Sequence, residues 1–186
     1  MTDIAEMDAW REDGPIADAV GGVWPWRAAP GALLTVLGAV VLAAAVALES
    51  PVTLLTAAAV TVFVLLAAVE GTPRGRFAWA VVPLLRVVEY SYVIVLGLAV
   101  DAVPVAYTLL AMTAFHQYDI VYRLRYHGAA PSAAAGRVAL GWDGRMIVLT
   151  IAAWLGVFGV AAWSLAAVLA ALLIVQSVTR DFGAPP

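Results

Sequence analysis

The chain has 186 residues, 64% of them hydrophobic and only 12% charged, with a mean hydropathy of +0.95. A soluble domain carries about 25% charged residues, so this composition excludes an ordinary soluble enzyme or a pair of soluble domains. A net charge of −3 without an exposed basic face argues against nucleic acid as a partner, and the absence of cysteine removes disulfides, thiolate metal sites and cysteine nucleophiles.

The charge is unevenly spread. Six of the thirteen acids (Asp3, Glu6, Asp8, Glu12, Asp13 and Asp18) fall in the first eighteen residues, and all ten cations are Arg. Arginine without lysine, beside heavy Ala and Val usage, suggests a GC-rich bacterial genome. The acidic start lacks the positive n-region of a secretory signal, so the first apolar run reads as a retained helix. Residues 1–29 read as a cytoplasmic, partly amphipathic lead-in closed by Trp24, Pro25, Trp26 and Arg27, ordinary interface anchors.

Apolar runs then follow, each close to the length that spans a bilayer core of about 30 Å. The first covers 30–48 and stops at Glu49-Ser50-Pro51; the second covers 52–69 and breaks at Glu70-Gly71-Thr72-Pro73. The third covers 78–100 and turns through Asp101 to Pro104 into the fourth, 104–124, the most polar of the set. A loop at 125–143 leads to residues 144–180. There, Gly156 and Gly159 followed by Trp163-Ser164 suggest a tight hairpin, with Ser164 as a helix N-cap. A single long helix would be the other outcome.

Arginine placement sets the orientation. With both termini inside, Arg11, Arg27, Arg74, Arg76, Arg123, Arg125, Arg137, Arg145 and Arg180 share one side, and only Arg86 lies within a span. That is the positive-inside pattern. The expected architecture is an all-α, polytopic membrane helical bundle in a bacterial inner (plasma) membrane. It has six transmembrane helices as three hairpins over 30–180, a cytoplasmic segment 1–29 and a tail 181–186.

Ionisable residues inside apolar helices are costly and mark function by default. Here they are Arg86, Glu89, His116 and Asp119. In a regular hairpin between the third and fourth spans, Arg86 lies level with Asp119 and Glu89 level with His116. Within each helix the two residues are three apart and share a face. These groups either line a site or serve as intrahelical and packing pairs. His116 beside a carboxylate is a candidate general base, which makes His116, Asp119 and Glu89 the candidate catalytic residues.

Around them Arg86, Tyr90, Tyr118, Tyr122, Arg123, Arg125, Asp143 and Arg145 are candidate substrate-binding groups. Arg123, Arg125, Arg137 and Arg145 suit a phosphate or pyrophosphate, whose oxygens guanidinium groups bind bidentately. The Tyr stripe and Asp143 also have plain readings, as interfacial packing and as a helix cap. Glu89, His116, Asp119, His127 and Asp143 show no tight ligand spacing, so no resident metal is assigned. Mg2+ is the ion such carboxylates would share with a substrate phosphate.

The stretches Pro83–Tyr90, Ala114–Arg125 and Gly141-Trp142-Asp143-Gly144-Arg145 resemble an uncharacterised actinobacterial integral-membrane domain. That domain is often fused C-terminal to CDP-alcohol phosphatidyltransferase and nucleotidyltransferase-like domains. The resemblance covers about 78–150 and implies a place in phospholipid or lipid-linked head-group synthesis. This chain lacks the Asp-x-x-Asp-Gly-x-x-Ala-Arg motif of the CDP-alcohol enzymes, so that reaction is not assigned to it.

Three functions follow as expectations. The first is a transferase-type or lipid-modifying membrane enzyme acting on an anionic lipid at the cytoplasmic leaflet. The second is a non-catalytic membrane partner of a CDP-alcohol phosphatidyltransferase. The third is a small proton-coupled carrier, disfavoured by the lack of internal repeats and of broken midplane helices. Membrane lipids are the expected partners, and a homo-oligomer is compatible with the pattern.

Overall fold

A computed structural model describes residues 11–21, 31–47, 50–67, 78–128 and 132–183. The described residues form helices and turns, with no strand among them. The helices are α1 (Pro15–Gly21), α2 (Gly31–Ala47), α3 (Pro51–Ala67), α4 (Ala78–Ala99), α5 (Val103–His127), α6 (Ala133–Ala139), α7 (Gly141–Trp154) and α8 (Phe158–Gly183). Within them, Ala80–Ala99 and Phe158–Val178 are long and apolar enough to cross a membrane, while Thr35–Ala47 and Thr53–Val62 are shorter apolar stretches.

The apolar runs of the sequence become α2 to α5 nearly end for end. Proline opens several of these helices: Pro15 begins α1, Pro51 begins α3, and Pro104 stands in the first turn of α5. Its missing N–H costs nothing where no intrahelical acceptor exists. The stretch after residue 143 does divide into two helices. The break, however, lies at Leu155–Val157, where Gly156 takes φ +72°. Ser164 therefore lies inside α8 and caps nothing; a glycine able to adopt the left-handed region sets the turn instead. At 14 residues α7 is about 21 Å long, short of a full bilayer core. The Trp24–Arg27 interface and the Glu70–Pro73 break lie outside the described residues.

The core runs between α2, α3, α4, α5, α7 and α8. On α5 the buried residues are Ala106, Leu109, Thr113, His116, Gln117 and Ile120, one inward stripe at helical spacing. The same spacing that makes the apolar end of α5 a packing face carries His116 and Gln117 inward. On α4 it does the same for Leu85, Arg86, Val88, Glu89, Tyr92 and Leu96. Tyr92 ties α4 to α7: its hydroxyl pairs with that of Thr150 and lies 3.3 Å from the Met146 carbonyl oxygen, to which it can donate. Large apolar side chains are left outward on α8, including Val160, Trp163, Ile174, Val175 and Val178.

The N-terminal segment packs into the bundle. α1 lies against α7 and α3, and Ala17 is fully buried in the core. Its approach depends on two glycines: a Cβ on Gly14 would lie 2.1 Å from the Leu140 carbonyl oxygen, and one on Gly141 would lie 2.4 Å from the Gly14 nitrogen. Leu140 and Gly141, both at φ +63°, turn the chain from α6 into α7 at this point.

Candidate functional site

The first turn of α7 and the residues before α1 build one buried cluster. Arg145, 2% exposed, is its centre. Its Nε donates to Glu89 Oε1 at 3.0 Å, and Nη2 donates to the same oxygen at 2.8 Å and to Glu12 Oε2 at 3.0 Å. Nη1 donates to Glu12 Oε1 at 3.0 Å and to the Ala139 carbonyl at 3.2 Å. A guanidinium has five N–H donors, and each is used.

Glu12 accepts from two more side chains. His116 Nε2 lies 2.9 Å from Oε1, and the Gln117 amide donates to Oε2. Arg86 pairs with Glu89, lies 3.8 Å from Glu12 Oε2, and donates from Nη2 to the Arg11 carbonyl. Donors from α4, α5 and α7 thus converge on one carboxylate that belongs to none of them. With His116 neutral, Arg86 and Arg145 balance Glu12 and Glu89.

Burial alone would raise the Glu12 pKa. The Arg145 charge, the hydrogen bonds from His116 and Arg145, and the Arg86 charge outweigh it and hold the carboxyl well below its ordinary range. An ionised carboxylate only accepts, so His116 Nε2 must carry the proton. The other ring nitrogen, Nδ1, is buried and without a hydrogen-bond partner among the described residues. In the neutral ring it holds a lone pair.

Asp143, fully buried, has a different task. Its Oδ1 accepts from the Gly14 N–H at 2.6 Å, and its Oδ2 from the Ile16 and Ala17 N–H groups at 3.0 and 2.8 Å. These are the N–H groups at the start of α1, which no earlier turn can satisfy. The carboxylate also sits in the first turn of its own helix, where negative charge is favoured. Asp143 therefore caps α1, while the N-cap position of its own helix is Leu140, without a side-chain bond. The Trp142 N–H and indole add bonds to the Glu12 carbonyl and the Asp13 carboxylate, at 3.3 and 2.9 Å.

The remaining candidates lie elsewhere. The level pairing of Glu89 with His116 is replaced: His116 takes Glu12, and Glu89 takes Arg86 and Arg145. Asp119 forms an ion pair with Arg123 one turn along α5, and Arg123 also donates to Gln176 on α8. Arg123 and Arg145 thus serve separate groups, while Arg125 and Arg137 are exposed, so the four arginines do not form one phosphate clamp. Phe115, Tyr118, Tyr122 and Tyr126 form an outward ridge, with ring centroids 6.1 Å apart for Tyr118–Tyr122 and 4.9 Å for Tyr122–Tyr126. Tyr90 is partly buried beside Glu89. Among the described residues no three of His, Asp and Glu gather as a metal-binding group, and the His127 side chain lies outside those residues.

Sequence reasoning missed Glu12 and Gln117. Glu12 was one acid among many in the lead-in, and its partners lie up to 133 residues away. At their buried and half-buried positions the helices α4, α5 and α7 carry Arg86, Arg123 and Arg145 against Glu89, Asp119 and Asp143, so the charge count gave no sign that a further acid was needed.

The class of protein these observations define is an all-helical one, with a cluster of paired charges between α4, α5 and the first turn of α7 covered by an N-terminal segment. A family model described as a family of unknown function, DUF5941, matches residues 3–183, and the chain belongs to that family. No curated protein and no solved structure matches.

Proposed function

We propose that this is an integral membrane protein of phospholipid or lipid-linked head-group metabolism, binding an anionic, phosphate-bearing lipid at the cytoplasmic leaflet. The observation that carries the reading is the convergence of Arg145, Arg86, His116 and Gln117 on a single carboxylate. Donors arranged to hold two anionic oxygens suit a phosphate as they suit Glu12. In this reading six helices cross the membrane as three hairpins with both termini cytoplasmic, as the one-sided arginines favour. The outward apolar side chains of α8 and the two helices of spanning length support a membrane setting.

His116 is the proton-transfer group of this proposal. Nε2 donates to the anionic oxygen that fills the seat, which is that of Glu12 at rest and of the phosphate when bound, and this leaves the Nδ1 lone pair to act as base. Arg86, Arg145 and Gln117 hold the phosphate, and Glu89 keeps both guanidinium groups in place. Mg2+ would enter only with the substrate's own phosphate oxygens.

Native mass spectrometry of the gently extracted protein, with lipid analysis of what stays bound, tests the reading. Retention of one phosphate-bearing lipid class, reduced at least tenfold by Arg86→Gln with helix content unchanged, is the expected result. Retention of bulk lipid in membrane proportions by both forms would sink it.

A second reading draws on the ridge of Phe115, Tyr118, Tyr122 and Tyr126, which are 60%, 68%, 38% and 71% exposed. An aromatic face of this kind suits docking of another membrane helix. The protein would then be a non-catalytic partner of a lipid-synthesis transferase, and the same extraction would carry that enzyme along.

A further inference from the structure

Residues 11–17 form a strap across the end of the bundle, and the way it is held is unusual. Only Ala17 of the strap joins the apolar core. The rest is fixed by directional polar bonds: Glu12 to Arg145, His116 and Gln117, the Arg11 carbonyl to Arg86, and the Gly14, Ile16 and Ala17 N–H groups to Asp143. What its release breaks is largely polar bonding, including the Trp142 bonds to Glu12 and Asp13, which water or a ligand can replace. The strap is also held against its own backbone preference, because Glu12 takes φ +53°, a region that glutamate seldom adopts.

Charge fixes what could take its place. Without Glu12 the groups that face it, Arg86 and Arg145 with Glu89 and a neutral His116, carry a net of one positive charge, because Asp143 faces the Gly14, Ile16 and Ala17 N–H groups instead. A buried uncompensated charge is strongly unfavourable, so an anion must enter as the carboxylate leaves. Glu12 offers one negative charge spread over two oxygens, with Oε1 facing His116 and Arg145 and Oε2 facing Gln117 and Arg145. A phosphodiester has the same make-up: one charge and two non-bridging oxygens. A phosphate monoester brings about −1.5 to −2 at neutral pH and would overfill the site.

We propose that Glu12 is an internal ligand occupying the seat of a monoanionic phosphodiester, and that the ligand binds by displacing the strap. The proposal rests on the anionic-ligand reading above and gives it both a ligand class and a regulation. At rest the site is self-filled and closed. Binding frees residues 11–17, including the Asp143 cap, and so signals occupancy at the protein surface. His116 keeps its place beside the exchanged oxygen, with Nδ1 still open to a proton.

The test uses the full chain in a phosphate-free maltoside micelle, with dihexanoylphosphatidylglycerol as the probe. Its head group without chains, bis-glycerophosphate, is the soluble counterpart, dihexanoylphosphatidic acid the monoester, and dihexanoylglycerol the uncharged control. Saturating phosphodiester should raise amide exchange of Gly14, Ile16 and Ala17 at least tenfold. Glu12→Ala should raise its apparent affinity at least fivefold. So should Asp143→Asn, which loosens the strap without touching a donor of the seat. Release by the lipid alone assigns the ligand to the membrane, and equal release by the soluble head group assigns it to a free metabolite; both support the exchange.

Phosphodiester binding with strap protection unchanged overturns the exchange and leaves the lipid-binding reading standing. Tighter binding of the monoester than of the phosphodiester overturns the ligand class. No binding of any phosphate compound by the folded wild type or Asp143→Asn overturns both readings. If Glu12→Ala does not fold, wild-type exchange and Asp143→Asn decide the matter.

Discussion

Helix α5 carries two polar groups a turn apart, and they behave as opposites. His116 and Gln117 point inward and join a cluster whose centre, Arg145, is 2% exposed and fully hydrogen-bonded. Asp119 and Arg123 lie on the flank, with side chains 18% and 14% exposed, and form a pair braced by Gln176. The residue types are the same kinds of acid and base. What differs is how many partners each charge has and whether water can substitute for them. A sealed charge depends on every neighbour, whereas a partly exposed pair with few partners has less to lose.

The strongest way to break this contrast is Arg145→Met. Glu12 and Glu89 would then face each other buried, with one guanidinium left between them. The expected cost is about 3–5 kcal/mol, read as loss of the folded form in a thermal or denaturant melt. A double-mutant cycle with Glu12→Gln should show strong coupling, because removing the acid relieves part of the same defect. Additive effects would mean that the two residues do not act on each other.

Asp143→Asn comes next. An amide oxygen still accepts, but the second site becomes a donor facing backbone N–H groups. About 1–2 kcal/mol of stability should be lost, with exchange rising first at Gly14, Ile16 and Ala17. Unchanged protection there would remove Asp143 from its role as the cap of α1.

Acid titration separates the inner group from the outer one. Glu12 is held below its ordinary value of 4.5 in the folded chain. The stability it contributes is thus full above that value and is lost as pH falls below it toward the folded pKa. A melt series should be flat in this contribution from pH 8 to about 5 and decline in more acid buffer. In Glu12→Gln the acid decline should be shallower; an identical slope would show that other carboxyls govern it. The smallest effect is expected from Asp119→Asn, about 0–1 kcal/mol, and a loss as large as that of Arg145→Met would erase the distinction between the two groups.

The sequence made the helices plain because apolar runs of spanning length leave few alternatives. The end of the chain was harder. Two glycines and a Trp-Ser pair all punctuate the stretch after Leu155, and only the backbone at Gly156, in the left-handed region, distinguishes the true turn. Arg86, Glu89, His116, Asp143 and Arg145 stood out as polar residues in apolar company. Their partners did not, since helical periodicity relates residues three or four apart and says nothing about contacts across the chain. The expected level pairs assumed that each charge would be matched within the α4–α5 hairpin, but α7 brings a guanidinium that binds Glu89 instead.

Chain order gives the Glu12–Arg145 contact a further meaning. The two residues are 133 positions apart, so a growing chain makes the acid early and its main partner only after most of the bundle. Until α7 emerges, Arg86 and Glu89 can settle with each other, while Glu12 and His116 have no Arg145 to join. Closure of this long loop is therefore a late event in assembly, and it reports that α4, α5 and α7 are all in register. A chain halted before Gly141 lacks both Asp143 and Arg145, and its N-terminal segment keeps only the bonds to Arg86, His116 and Gln117. An exposed, protease-sensitive N-terminus would mark such a chain as unfinished.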